Sequence, residues 1–262
     1  MRYKIIDAHA HIFPDKIASA ASQNIGDFYS IPMLYDGSAG VLLDMCAKHG
    51  VEKTIVSSVA TKVHQVRSIN TFICESCRNP AFAGLISLHP DLTPKEIDRE
   101  IEFALANGLK GVKLHSDFQR FDIDSPKAEN IYSAVAGVLP VLFHVGDPNK
   151  DFSHPKRLVK VLKRYPKLKA VAAHLGGYTK WDEVACYAEV DCRFDSCSAL
   201  CFMDRERGAR LIEFFGADKV MFGSDYPMSG ADKERDILLS LGLGQEKEEK
   251  ILRENAREFY NL

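Results

Sequence analysis

Two histidines separated by one residue, His9-Ala10-His11, close the first apolar run of the chain. On a strand, residues two apart point the same way, so both imidazoles could reach one ion from a single element. The pair is weak evidence alone, because nine histidines among 262 residues give about 0.3 such pairs by chance. The other candidates add weight through position. His115, His144, His174 and Asp225 end the apolar runs 110–115, 140–144, 169–174 and 219–225. If those runs are parallel strands of a barrel, their C-terminal ends converge on one mouth, and side chains scattered in sequence gather in space.

Alternation along each run agrees. Lys113 shares a face with His115, Leu142 with His144, and Met221 and Gly223 with Asp225. Imidazole and carboxylate donors suit Zn²⁺, and Mn²⁺ or Fe²⁺ less well. Three or four protein ligands leave room for a water whose pKa falls towards 7. Asp225 beside it could take up its proton and deliver it to a leaving group, and His174 could donate to a developing oxyanion. His49, His64 and His154 fall in helices or loops and read as ordinary, and His89 reads as structural.

The elements that must position these groups repeat in one rhythm. Eight strand-like runs, at 4–9, 53–59, 82–89, 110–115, 140–144, 169–174, 190–196 and 219–225, alternate with stretches of helical period. Helices are predicted over 40–49 and 68–78, from the Thr93-Pro94 cap to Asn107-Gly108, after Ser125-Pro126 and His154-Pro155, and over 245–260. No linker divides the chain and no G-x-G-x-x-G follows a strand. The reading is α/β: a single-domain (β/α)8 TIM-type barrel over residues 1–262. Residues 12–38 form an overlong loop between the first strand and its helix, predicted to lie over the mouth and carrying Phe13, Phe28, Tyr29, Met33 and Tyr35.

Composition narrows the function classes. The chain is 46% apolar and 27% charged, with a formal net charge of −2, which speaks against disorder and against nucleic-acid or anionic-membrane partners. It has no apolar stretch long enough to span a bilayer, and its opening, Met1-Arg2-Tyr3-Lys4, turns polar before a signal-peptide core could form. Seven cysteines without framework spacing imply reduced thiols and a cytoplasmic location. The expected partner is a small-molecule substrate, with a homodimer as an open option.

At Asp7-Ala8-His9-Ala10-His11, Gly111-Val112-Lys113-Leu114-His115, Leu142-Phe143-His144-Val145-Gly146, Ala173-His174-Leu175-Gly176-Gly177 and Phe222-Gly223-Ser224-Asp225-Tyr226-Pro227 the chain resembles the amidohydrolase superfamily. It is most similar to the amidohydrolase-2 branch, which is related to aminocarboxymuconate semialdehyde decarboxylase. The resemblance implies a divalent metal held by His9, His11, His144 and Asp225, with His174 polarising substrate or positioning the metal's water. It implies one ion rather than two. The second ion of binuclear members rests on a carboxylated lysine at about the place of Lys113, which here is expected to stay an ammonium able to anchor an anionic group, with His115 beside it. Arg120 is a candidate clamp for a substrate carboxylate.

The leading expectation is a zinc-dependent hydrolase of a small amide, ester or lactone. A non-oxidative decarboxylase or hydratase of a small carboxylic acid on the same metal is the alternative. The branch's decarboxylases usually carry an arginine after the first strand, and residues 12–38 contain none. A TatD-type deoxyribonuclease also opens with H-x-H, but would carry a glutamate near the end of the fourth strand. Cys74-Glu75-Ser76-Cys77 has no second pair to complete a zinc site. Cys192, Cys197 and Cys201 read as small buried apolar residues.

Overall fold

The computed structural model describes residues 3–262; Met1-Arg2, the start of the polar opening, lies outside the described residues. Eight strands form one sheet in sequence order: β1 (Ile5–His11), β2 (Val51–Ser57), β3 (Phe82–Ser87), β4 (Gly111–Leu114), β5 (Val141–Phe143), β6 (Ala170–Ala172), β7 (Arg193–Asp195) and β8 (Val220–Met221). Paired strands run parallel, with helices between them. That is the order and polarity of a (β/α)8 barrel. The later strands are shorter than the apolar runs that predicted them. His115, His144, His174 and Asp225 all lie past the last residue of their strands, and the His144 and Asp225 N–H groups still donate to the Leu114 and His9 carbonyls.

Contacts group the residues into two compact units. The first comprises the chain up to Ser57, Ser76–Ala83 and Asp195–Leu262. Here β1 pairs with β2, Ile6 opposite Lys53 and Ala10 opposite Val56. On its other side the Ala8 N–H donates to the Phe222 carbonyl (2.8 Å) and the His11 N–H to that of Tyr226 (2.7 Å). Buried Asp7 ties the two ends together, accepting from the backbone N–H groups of His9 and Ser224 and from the Ser224 hydroxyl. Burial still pushes its carboxyl up to about 7. Ile5, Ile6, Leu42, Met221, Phe222, Ile251 and Leu252 fill the core.

The segment 12–38 departs from the predicted loop, because it contains α1 (Asp15–Tyr29). The buried residues of α1 are Ala18, Ser22 and Gly26, each four apart, so its inward face is a stripe of small side chains. Ile17 and Phe28 point outward. The large apolar residues therefore do not report the buried face, and the usual apolar period is missing. A Cβ at Gly26 would lie 2.7 Å from the Ile31 carbonyl oxygen, so glycine lets the chain turn back closely after the helix. The helix α2 (Ala39–His49) follows, with the Ser38 side chain as its N-cap. The predicted helix 245–260 is broken into α10 (Gln245–Glu249), a π turn (Lys250–Glu254) and α11 (Asn255–Tyr260).

The second unit comprises Ser58–Glu75 and Gly84–Phe194. Its sheet runs from β3 to the start of β7 over a core of Leu85, Val112, Leu114, Phe143 and Val171. The helix α4 (Pro94–Ala106) opens with a reciprocal cap: the Glu96 N–H donates to the Thr93 hydroxyl, and the Thr93 N–H to the Glu96 carboxylate. The stretch after β4 forms the short helix α5 (Ser116–Gln119), with Asp117 and Gln119 buried. The Gln119 amide donates to the carbonyls of Ala60 and Leu88 and accepts from the His115 N–H, which locks the turn.

Candidate metal centre and a second histidine cluster

In the first unit, β1 delivers His9 and His11 to the same side. Their Nε2 atoms lie 3.1 Å apart, and their ring planes are 76° apart. Asp225 Oδ1 lies 3.8 Å from His9 Nε2 and 3.5 Å from His11 Nε2. Two donors each about 2.1 Å from one ion sit about 3.0–3.4 Å from one another. This spacing, with two imidazoles and a carboxylate meeting edge-on, fits a single divalent cation. His9 is fully buried, while the side chains of His11 and Asp225 are 14% and 15% exposed, so a small ligand could reach the centre.

Each of the three is held from behind. The ring of His9 places Nδ1 2.9 Å from Asp195 Oδ2. His11 Nδ1 lies 3.3 Å from the Ser57 hydroxyl. Asp225 Oδ2 accepts from Ser198 Oγ at 2.5 Å. Gly223 is the small residue that lets the end of β8 come close: a Cβ there would stand 3.0 Å from both the His9 Cβ and the Cys197 Cβ. Asp225 and Ser198 both adopt left-handed backbone, φ 57° and 46°. Non-glycine residues there cost about 1–3 kcal/mol each and cluster at functional sites.

The second unit gathers His115, Asp117, His144 and His174. His174 Nε2 lies 3.0 Å from His144 Nδ1, and His144 Nε2 lies 2.8 Å from the Gly146 carbonyl oxygen. A carbonyl only accepts, so His144 carries its proton on Nε2 and presents the Nδ1 lone pair. Gly146 has φ 90°, and a Cβ there would collide with the Tyr178 backbone at 2.3 Å, so glycine is needed to aim that carbonyl. His115 is sandwiched between Phe118 (3.7 Å, 4°) and His144 (3.9 Å, 6°). Lone pairs lie in the ring plane, so stacked His115 and His144 point side by side and not at one ion. Asp117 Oδ2 is 3.8 Å from His144 Nε2. Neither Asp117 oxygen makes a hydrogen bond of normal length. Burial pushes its carboxyl up to about 6, offset in part by the nearby Ser153 hydroxyl.

The sequence-predicted residues thus divide. His9, His11 and Asp225 are brought together in one unit; His115, His144 and His174 are brought together in the other. Lys113 is completely buried on β4, opposite Ser87 and Leu142. Arg120 follows α5 in left-handed conformation and is exposed. His174 has φ 59°, and the Trp181 indole N–H holds its carbonyl. His89 is buried with its Nδ1 accepting from the Asp91 N–H. Two cysteine expectations need correction. Cys201 is exposed, because it sits in the 3₁₀ turn Leu200–Phe202 after β7 and not on the strand. Cys197 is buried but is no inert apolar filler: its sulfur is 3.0 Å from His9 Nδ1. Asp195 is a further residue of the centre that strand-end position does not single out, because the seventh apolar run, 190–196, ends on Ser196.

A family model described as Amidohydrolase, of the amidohydrolase-2 branch, matches residues 6–262. Among solved structures, 2,6-dihydroxybenzoate decarboxylase in complex with 2,6-dihydroxybenzoate is similar, with TM-score 0.78 and 18% identity, covering 99% of this chain and 100% of that one. The 5-carboxyvanillate decarboxylase from Sphingomonas paucimobilis has TM-score 0.77 and 17% identity, with 99% of each chain covered. A dihydroxybenzoic acid decarboxylase from Polaromonas sp. JS666, with bound manganese and the inhibitor 2-nitroresorcinol, has TM-score 0.76 and 16% identity over 99% of this chain and 97% of that one.

Proposed function

The chain belongs to the amidohydrolase-2 family, and from that premise we propose that it is a metal-dependent, non-oxidative decarboxylase of a small carboxylic acid. The observation that carries the metal dependence is the meeting of His9 Nε2, His11 Nε2 and Asp225 Oδ1 within 3.1–3.8 Å. The choice of decarboxylation over hydrolysis draws on the similar structures, which are decarboxylases of hydroxylated aromatic acids. Manganese, bound in one of them, stands beside zinc as the ion, and Fe²⁺ is the third option.

In this reading His9, His11 and Asp225 hold one ion. The ion supplies Lewis acidity that draws electrons from the substrate as its carboxylate leaves. Loss of CO₂ breaks the C–C bond, leaves the electron pair on the ring carbon and requires a proton there. Asp225 is the group we assign to hold and deliver that proton. His174 donates a hydrogen bond to a substrate oxygen. Lys113 supplies the positive charge for an anionic substrate group that the arginine-free segment 12–38 does not, with Arg120 as the alternative clamp and His115 as a neighbour of the bound substrate. We assign the protein to the cytoplasm, with a homodimer as the assembly to test for.

The test is product analysis. Hydroxybenzoic acids and related small acids, incubated with protein loaded with Mn²⁺ or Zn²⁺, should release CO₂ with the ring protonated at the vacated carbon. Chelation should abolish turnover and either ion should restore it. Water-consuming cleavage of amides or lactones with no CO₂ released would return the assignment to hydrolysis. Full turnover in metal-free protein would remove the metal from the mechanism.

A further inference from the structure

The ring of His9 has a polar partner on both edges. On the Nε2 edge are His11 and Asp225. On the Nδ1 edge, completely buried, is Asp195, with Oδ2 at 2.9 Å. The second oxygen of Asp195 is occupied too, since Cys197 Sγ lies 3.0 Å from Oδ1. The thiol donates to one carboxylate oxygen and the imidazole Nδ1–H to the other, so Asp195 is pinned at both oxygens. Close packing completes the support, because Gly223 leaves no space for a side chain against the His9 and Cys197 Cβ atoms.

Neutral imidazole has one N–H and one lone pair, and the hydrogen bond made by one nitrogen decides which is which. A carboxylate oxygen at Nδ1 requires the proton on Nδ1. The lone pair then sits on Nε2, the atom that faces His11 and Asp225. His144 is set the other way, its Nε2–H held by the Gly146 carbonyl.

We propose that Asp195, steadied by the Cys197 thiol, is a positioning residue that fixes His9 as its Nδ1–H tautomer and so sets the affinity of the centre for its ion. This rests on His9 being a metal ligand, as assigned above. A carboxylate behind a ligating imidazole locks the ring's orientation and raises its basicity, and losing such a partner costs about 10–100-fold in metal affinity.

The full-length chain can be tested by competing Mn²⁺ and Zn²⁺ against a chromogenic chelator. Asp195→Ala and Asp195→Asn should each weaken binding, by about 100-fold and about 10-fold, at temperatures where circular dichroism shows both folded. Cys197→Ser keeps a donor for Oδ1 and should stay within a factor of about three. Unchanged affinity in a folded Asp195 variant overturns the proposal while leaving the metal centre standing. A parent chain that binds neither ion instead overturns the metal reading on which it rests. Folding of the variants need not be assumed, because ¹⁵N NMR of the metal-free parent, with His9 assigned by His9→Gln, reads the tautomer directly. A proton on Nδ1 is the expected result, and a proton on Nε2 refutes it.

Discussion

The two histidine clusters have similar composition and different geometry. In the first unit, His9 and His11 meet edge-on, planes 76° apart, with their Nε2 atoms 3.1 Å from each other. In the second, His115 and His144 lie face to face, planes 6° apart and centroids 3.9 Å apart. Both clusters are largely withdrawn from solvent and both include a carboxylate. A metal ion is attracted by lone pairs, which lie in the ring plane, so the edge-on pair can share an ion and the stacked pair cannot without turning. Histidine number and burial therefore say little; ring orientation, and whatever holds the other nitrogen, say more.

The comparison breaks most visibly if the chemistry is not at the edge-on cluster. Asp225→Asn is nearly isosteric, and its side-chain oxygen can still accept from Ser198. Turnover should fall by about 10²–10⁴-fold, the loss expected of a missing proton-transfer group, with the thermal midpoint close to that of the parent. Turnover within a few-fold of the parent would move the proton delivery elsewhere.

A second pair of variants sharpens the contrast itself. His11→Gln should strip metal from the purified protein, whereas His115→Phe should leave metal content unchanged and preserve the stack with Phe118 and His144. Removing the ring by His115→Ala opens a cavity in a buried site and should cost about 2–4 kcal/mol of stability, read from denaturant unfolding. Metal lost from His115→Phe would make the stacked cluster a ligand set after all. Stoichiometry follows the same logic: we expect one ion per chain after purification in bicarbonate with excess zinc, in the parent and in Lys113→Ala alike. Two ions in the parent and one in the variant would show a carboxylated lysine.

What could be read from the sequence follows from how each feature encodes itself. The eight strands were legible because each lies in a short, mostly apolar run that alternates with a stretch of helical period, and His9, His11 and Asp225 because strand ends are where parallel strands present side chains. The helix α1 was hidden, since its buried face is built from Ala18, Ser22 and Gly26 and its large residues face out. The role of Asp195 was hidden for another reason. A residue that acts through His9 carries no motif of its own, and only the 2.9 Å contact reveals it. The stack of Phe118, His115 and His144 depends on ring rotation about side-chain torsions, which spacing along the chain does not encode.

The first unit also buries an acid whose charge acts on Asp225, and it offers a separate measurement. Glu234, on α9 (Ala231–Ser240), is 2% exposed. Desolvation pushes its carboxyl up to about 8, opposed by a hydrogen bond from Ser229 and reinforced by the charges of Asp225 and Asp7. One of its oxygens, Oε2, has no hydrogen-bond partner. The sign of the pH effect follows from proton counting. Below pH 4.5, the ordinary value for this carboxyl, folded and unfolded chains both hold the proton and Glu234 costs nothing. Between there and pH 8 the folded chain keeps a proton that the unfolded chain has released, so stability falls as pH rises. Above pH 8 the cost of a buried charge is fully present. Glu234→Gln removes that charge while keeping the shape. The variant should match the parent near pH 4 and exceed it by about 1–3 kcal/mol at pH 9, by urea unfolding of metal-free protein, where no bound cation offsets the carboxylate. A difference between variant and parent that is the same at both pH values would mean that Glu234 ionises as freely in the folded chain as in the unfolded one, and that this acid is better solvated than its burial implies.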